Sequence, residues 1–436
     1  MRGQSGTDAS CGRYMNIWIF NNYNMLPEQG GLNRHYYFAK CFAEMGHQVT
    51  VFVGSHPHNT NLQMIEDGAA WKTAFETPFR WVYVHTANYA GSRVKRVLSM
   101  LEYYRNGKRA AYALYRQGER PDAILGSSAH PLAAVLAIRM AKRFRCKSIA
   151  EIRDLWPESI VAYGIVGPHN PAVIALRWLE KWIYKKADAV VFTMEGAYDY
   201  IVEQGWEKEI PRAKVHYINN GVDLEQFDYN KEHFCVEDPD LDDPDTFKVV
   251  YTGSIRRVNN LGLLLDAAKC VKNPNIRFLI WGDGDERAAL EQRVRDEHIG
   301  NVVFKGKVEK KYIPSIVSRA DLNFAHNDPS PLFRFGISFN KLFDYLAAGK
   351  PVLCDFPCPY NPAVTYGAGI EATDTQPQQI AKAIDALVTS AEQEWQSYCA
   401  NARRGGLRFQ ALDGQADSRY REYYRKVTEA NFIKEV

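Results

Sequence analysis

Short apolar runs recur along this chain, each ending in a glycine-bearing or polar loop that opens a helical repeat. From Met15 the order is NIWIF, the loop NYNMLPEQGG, a helical pattern from about Asn33 to Met45 closed by Gly46, then QVTVFVG. Strand, loop, helix and strand in that order make a βαβ unit, which builds a parallel sheet. The alternation continues with AILGSS, a helix from Pro131 to Phe144, SIAEIRD, a helix around Leu176 to Lys186, AVVFT and KVHYINN. A second series starts at FKVVYTGS and runs through RFLIWGDGD, VVFKGKV, DLNFAH and KPVLCDF, again with helical stretches between. The spacing predicts an α/β chain of two doubly wound parallel-sheet domains, residues 15–227 and 246–410. Between them the acidic, proline-bearing stretch 228–245 reads as a linker. Residues 411–436 read as a helix that packs back on the first domain. Ligands of such sheets bind at the carboxyl ends of the strands, so two facing domains are expected to hold chemistry in an interdomain cleft.

With 436 residues and 46% hydrophobic content the chain has material for two ordinary domains. No apolar run is long enough to span a bilayer, and the stretch MRGQSGTDASCGRY lacks the apolar segment of a signal peptide. Those residues, 1–14, read as a disordered leader or cloning remnant, with Met15 the natural start. The eight cysteines form no CxxC pair and no His/Cys cluster at metal-ligand spacing, which points to reduced thiols in a cytoplasmic protein. Charge is unevenly spread: residues 16–186 carry 22 Lys/Arg against 12 Asp/Glu, whereas the remainder beyond 186 is net acidic. Such a split suits an anionic surface met by one face only.

Several loops bear groups suited to chemistry. In SFNKLFDYLAAGKPVLCDF, Asp344 lies inside an apolar helix that Gly349 and Pro351 terminate, so its carboxylate either caps something local or holds a polar ligand. The loop TGSIRR offers Gly253, Ser254, Arg256 and Arg257 at a strand end, a set suited to a diphosphate or simply a turn with two solvated arginines. WGDGDE, with Gly282, Asp283 and Gly284, is a second glycine-rich strand end that lacks the third glycine of a dinucleotide fingerprint. In the first domain Gly30 and Gly31 precede a helix and let backbone approach an anion closely. His130 in GSSAHP also stands at a strand end, where a histidine is as often structural as functional. EIRDLWPES brings Arg153, Asp154 and Glu158 together, and one ion pair among them still leaves an acid over.

Taken in order, GGLNRHYYFAKCFAEMGHQVTVFVG, GSSAHPLAA, EIRDLWPES, ADAVVFTMEGAYDYIVEQG, KVHYINNGVD, YTGS, WGDGDE and KLFDYLAAGKP resemble the retaining glycosyltransferases of family 4. RDLWPES resembles the branch that builds bacterial capsule, O-antigen and exopolysaccharide. The resemblance covers nearly everything after Met15 and implies the GT-B fold of two Rossmann-like domains. It implies a nucleotide-diphosphate-sugar donor, a lipid-linked or saccharide acceptor, and a front-face route with no enzyme nucleophile. The family's Glu-seven-residues-Glu motif ends in an acid that binds the donor ribose, and Asp344 occupies that place. The N–H groups of Asn340, Lys341 and Leu342 would meet the distal phosphate at a helix start. Val308 joins the donor side, while Gly30, Gly31, His130, Arg153, Asp154 and Glu158 line the acceptor side. His130, Asp154, Arg257 and Lys341 fall nearest the reacting centre. Two positions depart from the pattern: the first glutamate of the motif is Gly336, which throws donor-sugar contacts on Asp328 or Arg334, and the phosphate-clamping arginine and lysine are Ser254 and a position near Asn259. Arg256 or Arg257 is expected to substitute.

No metal and no cofactor is expected, since arginine, lysine and helix N-termini can stabilise a leaving diphosphate. Residues 93–116 carry seven Lys/Arg and one acid among tyrosines and leucines, and residues 139–147 add five more. Such a surface suits anionic lipid headgroups or a solvated helix face, so the expected location is cytoplasmic and peripheral on the inner membrane face. No nucleic-acid-binding motif is found. Two other functions fit the same architecture: a nucleotide-sugar epimerase, which needs no acceptor, and a non-catalytic sugar-nucleotide scaffold.

Overall fold

The computed structural model describes residues 14–408 apart from 30, 31, 58, 59, 61, 90, 91 and 129. The leader before Tyr14, the Gly30–Gly31 pair and the expected helix at 411–436 lie outside the described residues.

The first sheet is built from β1 (Asn16–Phe20), β2 (Gln48–Gly54), β3 (Trp71–Phe75), β4 (Arg80–Val84), β5 (Ala123–Ser127), β6 (Lys147–Ile152), β7 (Ala189–Phe192) and β8 (Val215–Tyr217). Its order is β3-β4-β2-β1-β5-β6-β7-β8. β1 runs parallel to both neighbours, with Ile17 opposite Val49 on one side and Ala123 on the other. The near-continuous apolar strands are what a sheet covered on both faces requires. Three helices bear on this sheet's chemistry: α1 (Arg34–Glu44), α2 (Arg93–Arg116) and α3 (Pro131–Phe144). Trp18, Phe20, Phe52, Tyr103, Leu136 and Phe144 form the core under α2 and α3.

A second sheet holds β9 (Phe247–Thr252), β10 (Ile276–Trp281), β11 (Val302–Gly306), β12 (Leu322–Ala325), β13 (Val352–Cys354) and β14 (Gly369–Glu371), in the order β11-β10-β9-β12-β13-β14. Its strands pair in parallel throughout the described residues. The carboxyl ends of β9, β10, β12 and β13 therefore open toward one edge, and the loops that follow these strands leave from there. By internal contacts the chain divides into two compact units: one runs to Glu151 and takes in Trp182–Val190, and the other takes in Ile152–Lys181 and runs on from Val191.

The structure differs from expectation at three places. β3 and β4 form an antiparallel pair, Trp71 opposite Val84 and Lys72 opposite Tyr83, and the half-exposed residues of β3 gave no apolar run to read. β14 is three residues long, too short to show periodicity. The stretch 228–245 holds most of the Leu224–His233 helix and all of Pro239–Asp242. Its acids are pinned within the second unit: Lys305 Nζ reaches Asp238 at 2.7 Å and Asp240 at 2.5 Å, and Arg319 reaches Asp242 at 2.6 Å. The seven described cysteines are all free thiols.

Candidate functional site

Asp344 sits in the Asn340–Ala347 helix, whose Leu342, Phe343, Tyr345 and Leu346 are buried. The carboxylate is partly buried, and among the described residues nothing donates a hydrogen bond to it, so it caps no local group. Burial raises its pKa above the usual carboxylate range, opposed only by Lys310. Next to it the Tyr345 hydroxyl accepts from Thr252 N at 2.9 Å, tying the helix to the end of β9. A charge held without a donor inside a packed helix is costly, and hydroxyls of a bound ligand would relieve that cost.

Lys341, one turn earlier, donates from Nζ to the His326 carbonyl at 2.9 Å and lies 4.2 Å from the Tyr251 ring centroid. Burial pushes its ammonium down to about 7, with Asp355 opposing the shift. The ammonium form has three donors, and with one of them committed it still has two for an anion. Of the first-turn N–H groups expected to serve a phosphate, that of Leu342 is taken by the Phe339 carbonyl at 3.0 Å. The Asn340 side chain accepts from Asn220 Nδ2 at 2.8 Å, and the same amide donates to the Ser338 carbonyl at 2.9 Å. Asn219 binds the Ile337 carbonyl at 3.1 Å. These two asparagines of the INNG stretch were missed as supports of the helix start. An asparagine pair before a glycine was the available signal.

The two glycine loops interlock. Ile255 N donates to the Asp283 carbonyl at 2.9 Å and Gly253 N to the Trp281 carbonyl at 3.0 Å. A Cβ on Gly282 would lie 1.8 Å from the Gly253 oxygen, so its missing side chain serves loop packing. Asp283 accepts from the Gly284 N–H at 2.9 Å, and Val308 packs partly buried near Trp281 and Ile316. The two departures noted in the clamp meet each other: Ser254 Oγ lies 2.8 Å from Asn259 Oδ1. Arg256 and Arg257 are exposed and have no ion-pair or hydrogen-bond partner among the described residues. Gly336 has φ +107 and its added Cβ would come within 3.1 Å of Glu195 N, so a glutamate there would be strained.

Glu158 is bound by Arg177 at 2.7 Å, and the Arg334 fork is held by Glu203 at 2.6 and 3.2 Å. Asp328 accepts from Asn260 Nδ2 at 3.1 Å. Asp154 and Asp328 both act on the half-exposed Tyr163 phenol, adding to the rise in pKa that burial chiefly causes. The Arg153 carbonyl accepts from Thr193 Oγ1 at 3.3 Å.

In the first unit His130 caps α3 and is fully buried against the rings of Tyr23 and Tyr103. Neither ring nitrogen has a partner among the described residues. Burial, with a smaller contribution from Arg96, lowers its pKa to about 3, so the imidazole is neutral at physiological pH and can position a hydroxyl but not carry charge. Ser127, Ser128, Asn22 and Asn24, which follow or end β5 and β1, also bury polar atoms without partners. Nearby, the wholly buried Glu151 accepts from Arg34 Nε at 2.9 Å and pairs with His35 Nε2 at 2.9 Å, binding α1 to β6. That trio was not anticipated. Among the described residues no three His, Cys, Asp or Glu side chains converge as a metal site, and no helix is long and apolar enough to cross a membrane.

Comparison with known proteins matches residues 29–226 to Glycosyltransferase Family 4 and residues 246–390 to Glycosyl transferases group 1. TuaH of Bacillus subtilis, named for teichuronic acid biosynthesis, is 27% identical over 47% of this chain and 49% of its own. The chain thus spans about half the length of that relative. WcaI of Escherichia coli, named for colanic acid biosynthesis, is 21% identical over 70% of this chain and 75% of its own. Anabaena HepE, solved with UDP and glucose, is 16% identical with a TM-score of 0.61, covering 94% of this chain and 99% of that one. Solved glycosyltransferases of this kind share the GT-B fold with the chain.

Proposed function

This chain belongs to the family 4 glycosyltransferases, and we propose that it moves a sugar from a nucleotide-diphosphate donor to a lipid-linked or saccharide acceptor during assembly of bacterial surface polysaccharide. The observation that carries the reading is the Asp344 carboxylate, partly buried and without a donor among the described residues, one helical turn from Lys341, whose ammonium binds the carbonyl of His326, the residue that also holds the Asn260 end of the Arg256–Arg257 loop. A ribose diol supplies two O–H donors for the acid, and a diphosphate supplies anionic oxygens for the cations. Support for the acceptor class comes from the named roles of TuaH and WcaI, and for the donor class from the UDP in the HepE complex.

Transfer proceeds with retention. The bond from the anomeric carbon to phosphate oxygen breaks, the acceptor oxygen attacks from the same face, and its proton passes to the leaving phosphate. Lys341, Arg256 and Arg257 offset the charge that grows on that phosphate. In the first unit the neutral His130 imidazole is suited to orient an acceptor hydroxyl. Incubation with a panel of nucleotide sugars, with and without lipid-linked acceptor, tests the reading. Product formed only with acceptor supports it, and turnover of donor alone overturns it. Because three side-chain cations are available to the diphosphate, activity is expected to persist in EDTA. Loss on chelation with recovery on Mg²⁺ or Mn²⁺ would overturn the charge assignment and leave the fold standing.

The acceptor side works at an anionic membrane surface. On α2, Val94, Val97, Leu98 and Leu101 are 50–70% exposed and share a face with Lys95, Arg105, Lys108 and Arg109. Arg139 of α3 bonds the Tyr104 hydroxyl at 2.7 Å, which sets the second basic run beside the first. Apolar side chains enter the headgroup region, and each basic group near it contributes about 1 kcal/mol. Co-sedimentation is expected to show binding to anionic vesicles at low salt and release at high salt. Changing Lys95, Arg96, Arg105, Lys108 and Arg109 to glutamine is expected to weaken it. Equal binding to neutral vesicles, or none to either, would return α2 to a solvated face.

A further inference from the structure

His326 follows the end of β12 and is buried, and its contacts reach three separate elements. Nδ1 bonds Asp355 Oδ2, just past the end of β13. Nε2 lies 3.0 Å from the carbonyl of Asn260, the last residue of the loop that carries Arg256 and Arg257. Its own carbonyl accepts from Lys341 Nζ at 2.9 Å. The ring stacks on Phe324, with centroids 5.8 Å apart and planes 8° from parallel.

A backbone carbonyl only accepts, so Nε2 donates to Asn260, while Nδ1 is bonded to the Asp355 carboxyl. We propose that His326 is a positioning residue for the phosphate-binding cations: its ring, bonded at both nitrogens, fixes the Ser254–Asn260 loop to Asp355, while its carbonyl fixes Lys341. The loop has further ties to the same strand end, since Asn259 Nδ2 reaches Asn327 Oδ1 at 3.2 Å and Asn260 Nδ2 reaches Asp328 Oδ1 at 3.1 Å. Asn260 stands at φ +47, a left-handed conformation that asparagine tolerates and that turns its carbonyl toward the ring. The Tyr251 hydroxyl holds the other end of the loop through the Ser254 carbonyl at 3.0 Å. Asp355 has a second role: its charge opposes the lowering that burial imposes on the Lys341 ammonium. Its other oxygen, Oδ1, has no partner among the described residues, so the bond to His326 is what accommodates that buried acid.

The geometry explains how a phosphate loop lacking the usual arginine and lysine keeps its remaining cations in place. Flexible, solvated arginines lose rotamer and loop freedom on binding, and a loop already fixed loses less. His326 does this without touching the ligand.

The proposal rests on the reading of this site as one for a nucleotide diphosphate, and calorimetry with UDP and GDP separates the two. A wild type that binds neither overturns both. Where the wild type binds, His326→Phe keeps an aromatic ring to stack on Phe324 but removes both ring-nitrogen bonds. The Kd for the bound nucleotide is expected to rise at least tenfold, and the donor KM with it, while the acceptor KM stays put. The double variant His326→Phe/Asp355→Asn removes the stranded acid and is expected to fold as well as the wild type while remaining weak in binding. In combination with Lys341→Met the losses are expected to be less than additive, because part of the His326 effect passes through Lys341. Unchanged affinity in a folded His326→Phe or in the double variant overturns the proposal. A readout on the wild type needs no variant to fold: long-range nitrogen–proton NMR of histidine-labelled protein is expected to show the proton on Nε2 of His326 that its bond to the Asn260 carbonyl requires. A bare Nε2 overturns the proposal as well.

Discussion

Asp344→Asn is expected to lose nucleotide binding while melting no lower than the wild type. Two charge-assisted hydrogen bonds to a ribose diol at about 1.5–3 kcal/mol each amount to a loss of at least a hundredfold in affinity. Stability should move the other way, because no described residue donates to the carboxylate and burial raises its pKa. As pH rises past the ordinary carboxylate range, the unfolded chain releases this proton first, so the folded state loses stability until pH passes the raised folded value. At pH 7 the wild type has already incurred that loss, and the neutral asparagine avoids it. Calorimetry with UDP and GDP and a thermal melt at pH 7 check the two halves together. Unchanged affinity would return Asp344 to a structural role, and a melt well below the wild type would show that the carboxylate supports the empty fold. Most substitutions of partly buried groups destabilise, so an affinity collapse without lost stability is a distinctive signature of a ligand-dedicated residue.

Much of the fold was legible because buried parallel strands declare themselves as apolar runs. NIWIF, QVTVFVG, FKVVYT and RFLIW all become strands of the two sheets. The Pro131–Phe144 helix lies where the sequence put it, since proline at the start and alternating alanines and branched residues leave little choice. The antiparallel β3 was not legible, because an edge strand half in solvent need not be apolar. At the site, residues with a local signal were found and residues with a tertiary signal were not. Asp344 stands out as an acid in an oily helix. Glu151 does not, because its partners Arg34 and His35 lie 117 and 116 positions away and each looks like an ordinary surface group in its own stretch. His326 is hidden in the same way, between Asn260 and Asp355. Glu158 and Arg334 were legible as charges but not as pairs, for Arg177 and Glu203 were the unread halves. The WGDGDE glycines illustrate a different limit: the sequence indicates that backbone must come close to something there, and only the fold shows that Gly282 meets Gly253 and Gly284 meets Ile255.

Binding of UDP is expected to draw a proton from solution onto Lys341. In the empty site burial holds its ammonium down to about 7, so the amine is about half charged at pH 7 and about one-tenth charged at pH 8. A diphosphate brought beside it favours the charged form strongly, because like a carboxylate it is an anion in a poorly solvated place. Uptake is therefore about half a proton at pH 7 and close to one at pH 8, where the nucleotide phosphates are already fully ionised. The same linkage makes affinity fall as pH rises above 7, by up to tenfold per pH unit while Lys341 alone supplies the proton. Calorimetry in buffers of different ionisation heat reads the proton count directly. Lys341→Met is expected to bind more weakly and to show no uptake at pH 8, and its affinity should be flat between pH 7 and 9. For stability the sign is opposite to that of an acid. A cation with a depressed folded pKa contributes its stability above about pH 10.5, the unfolded value, and loses it as pH falls through the folded value. The empty Lys341→Met variant is then at least as stable as the wild type at pH 7, so weaker binding cannot be ascribed to unfolding. A wild type that takes up no proton at pH 8, or a variant that takes up as much, would show that the phosphate charge is met by Arg256 and Arg257 without Lys341.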